Sequence, residues 1–321
     1  MPQFKIKHVT KYSYRGTVRD SANQVILFPI NDNFQEVLQH DLKISGEPII
    51  EVYKDYYGNE VGNFTHADPH SELVIVSNIL VNTLPKPLPL DDIFAHDQWD
   101  ELNKLKSKIP YIDYLKHEQF NGFNQLREII EKEKTTDETP FETASRYNKY
   151  VFENFKYIPG ITTVETTLDE IWKLKAGVCQ DFAHMLLVML RLINIPARYV
   201  SGYICPHKNG MRGEGATHAW VEAYIPHYGW LGLDPTNNCV ANETHVRLAV
   251  GRNFADCTPV KGVYKGPAEH RLEVAVTVSY ENEEEEKAET EPTIPVLKPE
   301  SPFPLNSFQQ HLEMMQQQQQ Q

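Results

Sequence analysis

The run Gly177-Val178-Cys179-Gln180-Asp181-Phe182-Ala183-His184-Met185-Leu186-Leu187-Val188-Met189-Leu190-Arg191-Leu192-Ile193 decides how the rest of the chain is read. It is too long for an ordinary strand. Apart from His184 and Arg191 it is apolar nearly all round, which marks a helix enclosed by a core rather than one laid on a surface. Pro196 marks its end. Cys179 then falls in the first turn, among backbone N–H groups without intrahelical partners and at the positive end of the helix dipole. That position favours thiolate over thiol and suits a nucleophile. Taken alone, a cysteine beside an apolar helix is more often a small buried hydrophobe, so its neighbours decide.

Downstream the period becomes that of strands. Ala197 to Ile204 is one strand, His218 to Ile225 a second, and Trp230 to Leu233 a third that runs into Asp234-Pro235-Thr236. Val260 to Tyr264 and Leu272 to Tyr280 are expected to complete the same sheet. On adjacent antiparallel strands His218 and Asp234 can be neighbours, the carboxylate accepting from one imidazole nitrogen while the other faces outward. With the Cys179 helix packed against that sheet, the three align as nucleophile, base and orienter. Singly, His218 reads equally as a strand-end histidine bonded to backbone, and Asp234 as a turn former before proline.

Upstream, Asp100 to Lys116, Phe123 to Lys134 and Thr143 to Phe155 carry helical periods, and Thr167 caps a short helix that ends at Gly177. Pro85-Lys86-Pro87-Leu88-Pro89 is a stiff, extended boundary. From Phe4 to Thr83 the pattern is β, with turn signals such as Arg15-Gly16, Ser45-Gly46-Glu47-Pro48 and Tyr57-Gly58-Asn59 between alternating runs. The expected organisation is therefore α+β. An N-terminal antiparallel β-sandwich (1–84) and a linker (85–99) precede a core of helices packed on an antiparallel sheet (100–280). An acidic, then glutamine-rich tail (281–321) follows, whose composition is that of disorder.

The net charge of −13 is uneven, because Glu281 to Glu300 holds eight Glu against Lys287 and Lys298. The remainder is only mildly acidic, which argues against nucleic acid as a partner. No apolar run is long enough to cross a bilayer, and the first residues lack the apolar stretch of a signal peptide. A cytoplasmic location is the expectation. The four cysteines (Cys179, Cys205, Cys239 and Cys257) have no framework spacing and are expected to be reduced. Cys205, His207 and His218 could be drawn as zinc ligands, but no C-x-x-C pair accompanies them. No metal or cofactor is expected.

Four separated runs carry a resemblance. They are Gly177 to His184, Ile195 to Tyr203, Thr217-His218-Ala219-Trp220-Val221-Glu222, and Gly229 to Thr236. In this order they resemble the bacterial transglutaminase-like family of the papain-like superfamily, and the β pattern before them is similar to the N-terminal domain of its bacterial members. The resemblance implies that Cys179, His218 and Asp234 form a catalytic triad working through a thioester acyl-enzyme without a metal. Gly251-Arg252-Asn253-Phe254-Ala255-Asp256 is similar to a segment of relatives in which an acid stands where this chain has Asn253, so no role is assigned there. Cross-linking members support the oxyanion with an upstream tryptophan. Trp172 lies too close to Cys179 for that role and Trp99 too far.

The backbone N–H of Cys179 is then the candidate donor to the oxyanion. The expected activity is a cysteine-dependent hydrolase, a peptidase or amidase, acting on amide bonds of a peptide or protein substrate. Protein-glutamine γ-glutamyl transfer and a non-catalytic binding module are the alternatives. Lys208 to Gly215, just ahead of His218, is expected to border the substrate cleft.

Overall fold

The computed structural model describes residues 2–90, 92–132, 137–205, 210–213, 216–266 and 269–281. All of the acidic tail beyond Glu281 lies outside the described residues, as do Pro206 to Asn209, Glu214 and Gly215. In chain order the elements begin with β1 (Gln3–Val25), β2 (Gln35–Ile44), β3 (Glu51–Lys54), β4 (Glu60–His66) and β5 (His70–Thr83). Next come α1 (Ala95–Leu105), α2 (Phe123–Lys132), α3 (Pro140–Asn154), β6 (Lys156–Tyr157), α4 (Leu168–Leu174), β7 (Ala176–Gly177) and α5 (Cys179–Leu192). Strands β8 (Ala197–Ile204), β9 (Thr217–Ile225), β10 (Gly229–Asp234), β11 (Cys239–Val240), β12 (His245–Gly251), β13 (Val260–Lys265) and β14 (His270–Tyr280) complete the order.

Two units result. The first comprises Gln3–Pro29, Val37–Val81 and the described residues from Thr258 onward. It is a curled antiparallel sheet of order β2-β5-β1-β4-β3 with β13 and β14 also on β1. The alternation read in the sequence is real, since Phe4, Ile6, His8 and Thr10 are buried while Lys5 and Lys7 are exposed. Two expectations fail here. Arg15-Gly16 is not a turn: β1 runs through it, pairing with β14 from Phe4 to Tyr14 and with β13 and β4 from Arg19 onward. Gly16 falls where the strand changes partners, the bend a strand glycine permits. Likewise β13 and β14 do not complete the downstream sheet, so the core does not extend to residue 280. Alternation identifies a strand but not the edge it joins, and the unusually long β1 offers that edge.

The second unit contains Ile30–Glu36 and Asn82–Cys257. Segment 85–99 is not a free linker: Lys86 donates its backbone N–H to Asn242 Oδ1 (2.9 Å) and its Nζ to the Trp230 carbonyl (2.6 Å), and Tyr228 donates to the Pro87 carbonyl (2.8 Å). Its sheet has the order β11-β10-β9-β8-β12, antiparallel throughout. Helix α5 packs on β8 and β9. From Phe182 to Arg191 it is buried at every position except the half-buried His184, as the all-round apolar pattern requires. Buried Arg191 donates to the carbonyls of Ala197, Lys116 and Arg252, and burial lowers its pKa to about 10. His184 accepts from the Phe254 N–H (3.3 Å), and burial lowers its pKa to about 4.

Gly202 stands opposite His218 in the ladder, and a methyl group there would collide with the Val246 carbonyl and the Trp220 ring. Overpacking of this kind costs about 1–3 kcal/mol. Gly202→Ala is expected to lower the thermal unfolding midpoint by several degrees, and an unchanged midpoint in calorimetry would show that Trp220 can move aside.

Candidate active site

The chain enters α5 through a two-residue parallel bridge in which Tyr157 pairs with Gly177. Gly177 is required there, because any side chain would strike Asp181 as it folds back. Asp181 Oδ2 accepts from the Val178 N–H (2.7 Å) and from the Thr162 hydroxyl (2.6 Å), satisfying one donor of the open first turn. Cys179 is left as the first helical residue, half-buried and free.

His218 and Asp234 come from neighbouring strands, as the pattern required. His218 Nε2 lies 3.0 Å from Asp234 Oδ2, with both side chains fully buried. Its other nitrogen, Nδ1, is buried without a hydrogen-bond partner, and Cys179 lies close enough to act on the charge of the ring. Burial alone would lower the pKa of His218. The Asp234 carboxylate and Cys179 outweigh it and push the imidazolium up to about 10. The structure thus brings together all three residues singled out by the sequence.

Asp234 is more heavily held than the sequence suggested. Oδ1 accepts from the backbone N–H groups of Thr236 (2.8 Å) and Asn237 (3.3 Å). Oδ2 accepts from His218, from Asn237 Nδ2 (2.8 Å) and from His245 Nε2 (3.2 Å). Burial opposes its ionisation, but His218 and His245 hold the carboxyl far below the usual range. His245 is fully buried at the start of β12, and burial lowers its pKa, so the neutral ring donates from Nε2 and accepts from Thr244 at Nδ1 (3.1 Å). Nothing in its local sequence marks it, because it reaches Asp234 only through the sheet order. Trp220 stacks on His218 with centroids 6.2 Å apart and meets His245 edge-on at 5.1 Å.

Two imidazole nitrogens and a carboxylate oxygen here lie within 4.8 Å of one another, the spacing of a metal site. Both Nε2 atoms already turn to the same carboxylate oxygen as hydrogen-bond partners, so a cation would have to replace those bonds. The imagined zinc set gains nothing: Cys205 is fully buried, with its thiol pKa raised by burial, and His207 lies outside the described residues.

Tyr157 is the second residue that sequence reasoning missed. Burial and the neighbouring Cys179 push its hydroxyl up to about 12, so it remains a proton donor, and no hydrogen bond engages it among the described residues. Its only signal is an aromatic residue just before a Pro-Gly turn. The two tryptophans set aside are engaged elsewhere: Trp172 donates to Gln125 Oε1 (3.0 Å) and Trp99 to the Glu138 carbonyl (2.9 Å). Asp256 is taken up locally by Arg252, with Oδ2 2.8 Å from Nε, and Asn253 accepts from the Ala255 N–H. Arg198 pairs with buried Glu222 (2.5 Å) beside a cleft of about 190 Å³ lined by Trp220, Trp230 and His245.

Comparison with known proteins places the fold. Residues 127–235 match the transglutaminase-like superfamily core, and residues 4–82 match the bacterial transglutaminase-like N-terminal region. The uncharacterized Mycobacterium leprae protein ML0607 is 30% identical over 283 residues, covering 87% of this chain and 99% of its own. A protein-glutamine gamma-glutamyltransferase of Pseudomonas aeruginosa is 33% identical over 100 residues, 29% of this chain and 15% of its own. A Cytophaga hutchinsonii structure described as a candidate cysteine protease superposes with a TM-score of 0.65 at 20% identity, covering 88% of this chain and 92% of its own. With helix, sheet and both matched segments in agreement, this chain belongs to the transglutaminase-like superfamily.

Proposed function

We propose that the chain is a cysteine-dependent amide hydrolase acting on a peptide or protein in a reducing compartment. The observation that carries this reading is His218, whose Nε2 is fixed by Asp234 and whose charge is raised by both Asp234 and Cys179. Cys179 Sγ adds to the amide carbonyl, and the His218 Nδ1 proton passes to the departing amine. The C–N bond breaks and a thioester remains. Water then gives a proton back to His218 as its oxygen attacks, and the acid and free thiol separate. In this reading the backbone N–H of Cys179 and the Tyr157 hydroxyl donate to the oxyanion. Asp234 holds the ring and its tautomer throughout.

Four free cysteines support the reducing location, and no described helix is long and apolar enough to cross a membrane. Hydrolysis is favoured over cross-linking because water is always available, whereas transamidation needs a site that admits an amine and excludes water. The local match to a gamma-glutamyltransferase supports transfer as the second reading. Incubation with p-nitrophenyl acetate should give a burst of nitrophenol and an acetyl group on the Cys179 peptide by mass spectrometry. Without that adduct, the covalent mechanism fails. Adding dansylcadaverine and a glutamine-rich protein separates the two activities: release of ammonia without dye incorporation is expected, and stoichiometric labelling would reassign the enzyme as a transferase.

A further inference from the structure

Arg212 stands beside the Cys179 site with a charge that no described carboxylate answers. Its backbone is clamped by Asn237, whose Oδ1 accepts from the Arg212 N–H (2.8 Å) and whose Nδ2 donates to the Arg212 carbonyl (3.2 Å). The same amide donates to Asp234 Oδ2 (2.8 Å), so the loop is tied to the carboxylate that orients His218. The next residue, Gly213, has a φ of +82° and leans on the imidazole so closely that a methyl group there would lie 2.8 Å from Nδ1. Only glycine meets both conditions. The position of Arg212 is thereby fixed relative to the His218 ring.

The side chain extends over the aromatic side of the site. Its guanidinium lies 4.7 Å from the centroid of Phe152, on α3, and 5.9 Å from that of Tyr157. One Nη reaches the Thr236 carbonyl at 3.4 Å. The other arginines of this part of the chain are spent: Arg191 on carbonyls, Arg198 on Glu222, Arg247 on Asp32 and Arg252 on Asp256. Arg212 instead is exposed, with its guanidinium over rings that cannot neutralise it and no ion pair to a described carboxylate. A planar fork of that kind matches a carboxylate.

We propose that Arg212 makes this a carboxylate-reading enzyme: its acyl-transfer site takes substrates that carry a carboxylate close to the amide presented to Cys179. The inference rests on Cys179 being the nucleophile and goes beyond it by naming the substrate class. Neighbouring Tyr157 and Phe152 provide the apolar wall for the substrate's stem. An acidic side chain and a free terminal carboxylate offer the same group.

Iodoacetate and iodoacetamide test the idea, because they differ only in that group. With either, Cys179 Sγ forms the new S–C bond, iodide leaves, and the thiol proton remains on His218 or passes to solvent. The ratio of the two alkylation rates, located on the Cys179 peptide by mass spectrometry, is expected to fall about tenfold in Arg212→Gln, the low end for a charge-assisted hydrogen bond. Arg212→Lys should restore part of it. An unchanged ratio in Arg212→Gln, with Cys179 still reactive, overturns the carboxylate reading alone. A Cys179 inert to both reagents in the unaltered protein overturns the nucleophile on which it rests. Mono-p-nitrophenyl glutarate and acetyl-4-aminobenzoate then place the carboxylate on the acyl or the leaving side: an Arg212-dependent preference for one assigns the side, and dependence for neither overturns the proposal.

Discussion

Replacing Cys179 with alanine is expected to lower turnover of an activated ester by more than about 10⁴-fold, the scale seen when a covalent nucleophile is removed. The substitution takes away one half-buried sulfur and leaves the backbone of α5, the Asp181 cap and the Gly177 approach as they are. Thermal stability should therefore change by less than about 2 kcal/mol, since no cavity of consequence is created and the loss is confined to the thiol beside the buried His218 ring. Stopped-flow release of nitrophenol, read beside a melting curve, checks both halves. A folded Cys179→Ala protein that keeps the burst would mean that another nucleophile acylates. Cys239 is the other half-buried thiol, and its pKa is pushed to about 12 by burial and by Asp234, which makes it a poor substitute. Cys205 and Cys257 are buried.

Cys179 is legible in the sequence because of the way α5 is written. A helix enclosed on all sides is apolar on all sides, so the Cys179 helix announces both its burial and its start. His218 and Asp234 sit at element ends in strands whose pairing follows from short turns. What cannot be read is whatever depends on long-range pairing. His245 contacts Asp234 although β12 lies at the edge of the sheet, with β8 and β9 between it and β10. Tyr157 meets Cys179 through a pair of two-residue strands too short to leave a pattern. Strands β13 and β14 alternate as expected yet join the other sheet, because alternation fixes which face a residue takes and is silent about the partner strand. Segment 85–99, rich in proline, reads as a spacer, and side chains far away in sequence supply its hydrogen bonds.

Replacing Asp234 with asparagine is expected to cost about 10²–10⁴-fold in turnover, from tautomer and charge rather than from shape. Both His218 and His245 present Nε2 to the same oxygen, and an amide can place only one group there. If the amide oxygen takes that place, it keeps the donors but lacks the negative charge that raises His218. If its NH₂ turns inward, two N–H groups face it and His218 must flip, which removes Nδ1 from Cys179. The pH dependence tells these apart. In the unaltered protein His218 holds its proton up to about pH 10, so activity of a thiolate–imidazolium pair should persist into that range and fall as pH rises through it. Stability has the same sign at this residue. A histidine pKa raised by folding contributes fully below the unfolded value of about 6.5 and loses that contribution as pH climbs to the folded one. Asp234 is the reverse case, stabilising above the ordinary carboxylate range and losing its contribution as acid protonates it. In Asp234→Asn, the alkaline limb should move by more than about one pH unit toward neutrality, with alkylation of Cys179 by iodoacetamide moving in parallel. An alkaline limb that stays near pH 10 would show that His218 owes its charge to Cys179 alone, and Asp234 would then be a structural anchor for β10 rather than the residue that tunes the base.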